Sequence, residues 1–297
     1  VVQAAGNRGP GLSVFTLPVG QEALRRSVGE FRSLVRDAGS DPRALRSQGT
    51  ELYRLLLRPA ERQLAESRRL LISPDGPLHT LPFAALVRRG RYVAEWKPLH
   101  TVLSATVYAE LRKSRRPQVS PVQVAAFGDP LYPSQLAENR AAAPASRLAV
   151  LDAQGRGLSL APLPASRREV EGIAALYPQT RTFLGPEATE ERVKSIGRDV
   201  RILHLAAHGL LDERLPLNSS LALTMPESPA EGQDNGLLQA WEIFEQVRLD
   251  ADLVTLSACD SGLGRELGGE GLIGLTRAFQ YAGARSVLAS LWSVADT

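Results

Sequence analysis

The stretch Leu253-Val254-Thr255-Leu256-Ser257-Ala258-Cys259-Asp260-Ser261-Gly262 decides the fold. Its first four residues are apolar except for Thr255, a run that suits a central strand of a parallel sheet covered by helices on both faces. Small, turn-prone residues follow at once, with a cysteine at the bend. A second stretch has the same form: Ile202-Leu203-His204-Leu205-Ala206-Ala207-His208-Gly209. In open parallel α/β sheets, ligands bind outside the carboxyl ends of the strands. If these two strands are parallel neighbours, His208 and Cys259 emerge at the same edge.

Strand patterns also fall at Val122–Phe127, Thr180–Leu184 and Ser286–Trp292. Helical patterns lie between them, at Ser166–Leu176, Thr189–Ile196, Gln239–Gln246 and Leu272–Tyr281. Thr189 is the expected cap of its helix, with Glu190 and Glu191 in the first turn. This alternation predicts an α/β domain around a mostly parallel sheet flanked by helices. Residues 131–163, rich in Ala, Pro, Ser and Gly, are expected to form a long surface excursion, and a long loop is expected after Ala206.

Toward the N-terminus the pattern is β-rich at Leu12–Leu17 and helical at about Gln21–Val35 and Pro42–Leu64. Arg69–Ile72 is an expected strand, Tyr92–Leu103 an extended, hairpin-like segment and Ser104–Lys113 a helix. The basic, Pro-bounded stretch Ser114–Pro121 reads as a linker. The expected organisation is therefore an N-terminal α/β lobe over 1–114, a linker over 115–121 and a second domain over 122–297.

Composition narrows the function classes. The chain has 297 residues, 43% of them hydrophobic, enough for one large or two modest domains. No apolar run reaches the roughly 18 residues of a membrane span. The start, Val1-Val2-Gln3-Ala4-Ala5-Gly6, has neither an initiator Met nor the layout of a signal peptide, so a piece of a longer protein is expected. The formal charge is +3, and Lys97, Lys113 and Lys194 are the only lysines. No basic stripe with interleaved aromatics accompanies the arginines, so nucleic acid is not directly indicated. The clusters Arg88-Arg89-Gly90-Arg91 and Arg112-Lys113-Ser114-Arg115-Arg116 read as solvated loops. A single cysteine excludes an intrachain disulfide and a cysteine-based zinc site, and suits a reducing, cytoplasmic setting. Four histidines without paired carboxylate spacing suggest no metal, and no cofactor is expected.

A nucleophilic Cys needs a base within reach, and His208 can supply it to Cys259. Gly209 leaves its backbone N–H open to approach, and that N–H with the one of Cys259 can form an oxyanion hole. His204, among apolar neighbours in the strand, reads as structural. Two rivals fail on detail. Cys259 and Arg265 fit the C-x5-R spacing of a phosphate-cradling loop, but Glu266 follows where that loop has Ser or Thr, and His208 is left without a role. Gly269-Glu270-Gly271-Leu272-Ile273-Gly274 fits G-x-G-x-x-G, but no strand runs directly into it as a dinucleotide site requires.

The chain resembles the CHAT domains, caspase-like proteins found beside tetratricopeptide repeats and related to separases. The residues that carry the resemblance are Leu203-His204-Leu205-Ala206-Ala207-His208-Gly209 and Leu256-Ser257-Ala258-Cys259-Asp260-Ser261-Gly262. Gly269-Glu270-Gly271-Leu272, Leu291-Trp292-Ser293-Val294-Ala295-Asp296 and the N-terminal Leu70–Phe83 stretch add to it. It covers roughly residues 50–297. It implies a caspase–haemoglobinase fold, an N-terminal degenerate caspase-like lobe and a cysteine endopeptidase with a His208/Cys259 dyad. It further implies a pocket for a basic residue lined by Asp296, with Asp260 and Trp292 as further substrate-binding candidates. The implied partners are a protein or peptide substrate and upstream tetratricopeptide repeats or a regulatory protein. His79 falls in a family motif and reads as structural. The alternative reading is a catalytically silent caspase-like scaffold or signalling module.

Overall fold

A computed structural model describes residues 2–6, 9–102, 104–113, 123–132, 160–212, 215–226, 233–258 and 270–290. The chain divides into two compact units, Val1–Arg116 and Pro117–Thr297.

In the first unit, β1 (Val2–Gly6) and β2 (Gly9–Leu12) form an antiparallel hairpin. The expected strand at Leu12–Leu17 is irregular beyond its first residue. Helix α1 (Gln21–Arg36) buries Val28 and Phe31 on one face. Helix α2 (Pro42–Leu56) starts where the Asp41 carboxylate accepts the Arg43 N–H at 2.9 Å, with Pro42 preset for the first turn. The single helix expected over Pro42–Leu64 does not form. Pro59 has no N–H to give and its ring clashes with the carbonyl four residues back. A tight turn at Arg58–Ala60 therefore separates α2 from α3 (Glu61–Glu66).

β3 (Leu70–Ile72) pairs in parallel with β6 (Leu99–Thr101). Between them β4 (Val87–Arg88) and β5 (Arg91–Tyr92) make a two-residue hairpin through Arg89 and Gly90, both at positive φ. The extended segment expected from Tyr92 instead coils into α4 (Val93–Trp96), where the Glu95 carboxylate accepts the Tyr92 N–H at 2.7 Å. Helix α5 (Ala105–Lys113) closes the unit's described elements. Arg88 is not a solvated loop residue. Its guanidinium lies 2.6 Å from the Glu61 carboxylate and 3.9 Å over the Trp96 ring, with the side chain only 15% exposed.

Lys97 closes the other end of α3. Its ammonium donates to the carbonyls of Leu64 at 2.7 Å and Ala65 at 2.8 Å, and also to that of Ser67. Leu64 and Ala65 lie in the last turn, and the Leu64 carbonyl also accepts the Ser67 N–H at 3.2 Å and hydroxyl at 2.7 Å, so Lys97 adds a charged donor to the helix end. Lys97→Met keeps the stem but removes the charged donor, and is expected to cost about 2 kcal/mol. A urea-unfolding midpoint unchanged from wild type would refute this role.

The second unit is built on a five-stranded sheet of β7 (Val124–Gly128), β8 (Thr180–Leu184), β9 (Ile202–Ala206), β13 (Leu253–Ser257) and β14 (Val287–Ala289). Their order is β14-β13-β9-β7-β8 and every pairing is parallel. Helices α6 (Pro164–Leu176), α7 (Glu190–Lys194), α8 (Ala240–Gln246) and α9 (Glu270–Tyr281) alternate with the strands. The expected α/β class is thus met. Phe127, Leu203, Leu205, Val254 and Phe279, all fully buried, belong to one core.

Two details differ from the sequence reading. The most buried strands are β7 and β9, whereas β13 lies beside the edge strand and alternates buried with half-buried residues. The stretch after Ala206 is not a plain loop: β10 (His208–Leu210), β11 (Ser220–Ala222) and β12 (Leu237–Gln239) form a small antiparallel sheet. The excursion expected over 131–163 lies mostly outside the described residues, but Tyr132 and Leu160 at its ends are buried. Among the described residues, no helix is long and apolar enough to cross a membrane.

At the amino ends of the strands an ion network ties the sheet together. Arg201, 7% exposed, pairs with Asp252 at 2.7 Å, and Arg285 reaches the same carboxylate at 3.5 Å. At the opposite, carboxyl ends of the strands, β7 and β9 are neighbours whose chains lead in opposite directions around the sheet, the kind of switch point beside which ligands bind in open α/β sheets.

Candidate active site

β9 and β13 run side by side in register, Ala206 opposite Ser257. His208 follows its strand by two residues, and Cys259 follows the other strand by two residues in the sequence. His208 begins β10, opposite Ala222, and Gly209 lies opposite Leu221. Of the residues expected at the site, His208 and Gly209 are described and both are buried. Cys259, Asp260, Trp292 and Asp296 lie outside the described residues. The last described residue before the cysteine, Ala258, accepts a hydrogen bond from the Ser290 hydroxyl at 3.1 Å. That bond ties the end of β13 to the end of β14.

The His208 ring is held from several sides. Its Nε2 lies 2.7 Å from the Ala161 carbonyl oxygen. A carbonyl can only accept, so Nε2 carries the proton and Nδ1 is the basic nitrogen of the neutral ring. The Tyr132 ring packs against the imidazole, centroids 5.3 Å apart and tilted by 37°. Tyr132 is fully buried, and its hydroxyl donates to the Ala222 carbonyl at 3.0 Å while meeting the His208 backbone N–H. Burial holds that phenol far above its ordinary range, so it stays neutral and can play both roles. Neither Ala161 nor Tyr132 carried a signal in the sequence, since every residue has a carbonyl and a lone Tyr beside Pro has many uses.

His204 lies four residues earlier, inside β9, 5% exposed and opposite Thr255 of β13. Its Nε2 is 3.3 Å from the Glu169 carboxylate, a contact too oblique for a full hydrogen bond. Glu169 also accepts the Ser257 hydroxyl at 3.1 Å, so one carboxylate of α6 spans both strands. The adjacent His204 holds Glu169 below the ordinary carboxylate range, against its partial burial. The resulting stability is present above that ordinary range and is lost as pH falls through the lowered value.

Gly274 explains part of the glycine-rich motif. A Cβ there would lie 2.6 Å from the Pro216 carbonyl oxygen, so the glycine lets α9 approach the Pro216–Asn218 turn. Three carboxylates, scattered in the sequence, also gather: Glu190, Asp234 and Glu242 offer oxygens within 4.8 Å of one another. The cation they hold is the Lys194 ammonium.

The model of a family described as the CHAT domain matches residues 46–297. The chain is similar to tetratricopeptide repeat protein 28 of mouse (Mus musculus), 29% identical over 286 residues, 82% of this chain and 11% of that protein. It is similar to tetratricopeptide repeat protein 28 of human (Homo sapiens), 28% identical over 288 residues, with the same two shares. The chain therefore spans only 11% of the length of these curated relatives.

Proposed function

Because the chain belongs to the CHAT domain family, we propose that it is a cysteine endopeptidase in which His208 serves as base to Cys259. The observation that carries this reading is the bond from His208 Nε2–H to the Ala161 carbonyl, which leaves Nδ1 as the proton acceptor. The shared register of β9 and β13 supports it, since both residues follow paired positions by the same two steps.

In the proposed cycle Nδ1 takes the thiol proton, and the thiolate attacks the scissile carbonyl carbon. The N–H groups of Gly209 and Cys259 receive the oxyanion. The tetrahedral intermediate collapses to a thioester, and His208 passes the proton to the leaving amine. Water then attacks the thioester as His208 takes its proton, and the released thiolate is protonated again. A free thiol has a pKa of about 8.5, so pairing with His208 raises the thiolate fraction at neutral pH. We place Asp296, Asp260 and Trp292 around the substrate, with a carboxylate to receive a basic residue before the scissile bond. The relatives carry tetratricopeptide repeats in their name, which supports control by a repeat region or a partner protein.

The test is labelling by an arginyl acyloxymethyl-ketone probe, followed by peptide mapping. Modification at Cys259 that disappears in His208→Ala is the expected result. A folded chain that takes no label, alone or within its full-length parent, would favour the silent scaffold.

A further inference from the structure

Tyr132 reaches His208 from outside the small antiparallel sheet. Residues 129–132 leave the end of β7 and cross to the residues that follow β11, and hydrogen bonds fix the crossing along its length. The Asp129 N–H donates to the Ser166 hydroxyl at 2.7 Å, and the Asp129 carboxylate takes the Arg167 guanidinium at 2.7 Å. The Leu131 N–H donates to the Thr224 hydroxyl at 3.0 Å, and the Leu131 carbonyl accepts the Met225 N–H at 3.1 Å. Thr224 gives its own hydroxyl proton to the Gly185 carbonyl at 2.6 Å, so that hydroxyl is tied on both sides. The crossing delivers Tyr132, fully buried, among Leu160, Ala222 and Met225.

Two parts of this side chain bear on position 208. The ring packs on the imidazole, centroids 5.3 Å apart and tilted by 37°. The hydroxyl donates to the carbonyl of Ala222 at 3.0 Å, and Ala222 stands opposite His208 in the β10–β11 pair. A tyrosine has only two side-chain torsions, so a bonded tip leaves its ring little freedom. A second hold on the imidazole is the bond from Nε2 to the Ala161 carbonyl at 2.7 Å. Tyr132 and Ala161 stand at the two ends of the 131–163 stretch and converge on one ring. The outer torsion of histidine is soft and roughly two-fold. One bond lets a ring pivot about the bonded atom, and a face contact stops the pivot.

We propose that Tyr132 is a positioning residue for His208, its ring holding the imidazole with Nδ1 presented and its hydroxyl holding the ring. The catalytic consequence rests on the dyad reading, but the hold on the imidazole does not. The base then needs no search for its orientation at the moment of proton transfer. A tyrosine that only filled the core would leave the state of the imidazole untouched when a flexible side chain replaced it.

Two variants of the whole chain test this. Tyr132→Met fills most of the space with a flexible chain, and Tyr132→Phe keeps the ring without the hydroxyl. On an arginyl fluorogenic peptide, the Met variant is expected to lose up to about 100-fold in kcat with KM little changed. The Phe variant is expected to lose only about fivefold. Equal losses in the two, or a loss carried by KM, overturn the positioning role. The hold itself is read from nitrogen-15 NMR of labelled histidine at about pH 8, where the ring is neutral. A protonated ring nitrogen and a bare one give widely separated signals. Wild-type His208 is expected to show one of each. In Tyr132→Met the two are expected to draw together as the ring exchanges between orientations, and in Tyr132→Phe only part of the way. Signals as far apart in a folded Met variant as in wild type overturn the proposal. Should that variant not fold, the Phe variant decides, and unmoved signals with unchanged kcat are equally fatal. No cleavage by any form, with the signals moving as stated, overturns the dyad reading and leaves the hold of Tyr132 on the ring standing.

Discussion

Alanine at position 259 is expected to abolish cleavage of an arginyl fluorogenic peptide, by on the order of 10⁴-fold or more. Cys259 is the only cysteine in the chain, so no second thiol can form the thioester. The substitution removes a single sulfur atom, so the thermal midpoint is expected to stay near wild type. His208→Ala is expected to lose activity to a similar degree, because the thiol without its base is mostly protonated at neutral pH. The double variant should be no worse than the poorer single one, since nucleophile and base act as a unit. Multiplicative losses, or comparable turnover in Cys259→Ala, would sink the dyad. His208 is buried against Tyr132 and bonded to Ala161, so its variant needs the same melting control.

The second large effect is on folding. Gly283 ends α9 with φ of 116°, a conformation that side chains resist. The bond from the Ala284 N–H to the Phe279 carbonyl at 2.9 Å closes the helix end around it. A Cβ would stand 2.2 Å from the Leu249 carbonyl oxygen, which belongs to backbone and cannot swing away. Leu249 in turn donates to the Ala282 carbonyl at 2.6 Å, so both strands of chain are fixed. Strain and overlap together predict that Gly283→Ala destabilises the second unit by about 3–5 kcal/mol. Gly172→Ala in the exposed interior of α6, where nothing lies within 4 Å, should stabilise by about 0.5–1 kcal/mol. Equal melting of the two variants would remove the steric account.

The placement of His208 and Gly209 just past the end of a sheet strand was legible because a strand pattern followed by a polar residue and glycine marks where such a strand stops. The order of strands and helices was legible for the same reason: apolar period and turn residues are local properties. Where a local rule was overlooked the reading failed, as at Pro59, which splits the helix expected over Pro42–Leu64. The hairpin at Arg89-Gly90 is a similar miss, since its turn residues lie in a basic cluster that read as loop.

The sequence by itself determined the α/β class, the paired strand ends and the residue types available for chemistry there. Tertiary structure alone decided which nitrogen of His208 is basic, because a backbone carbonyl 47 residues away sets it. It also decided that Glu190, Asp234 and Glu242 share Lys194. Only Glu190 stands at helical spacing from that lysine, while the other two lie 40 and 48 residues away. Periodicity reports which face of an element is buried, but contacts across such distances depend on how the chain closes, and no local pattern encodes them.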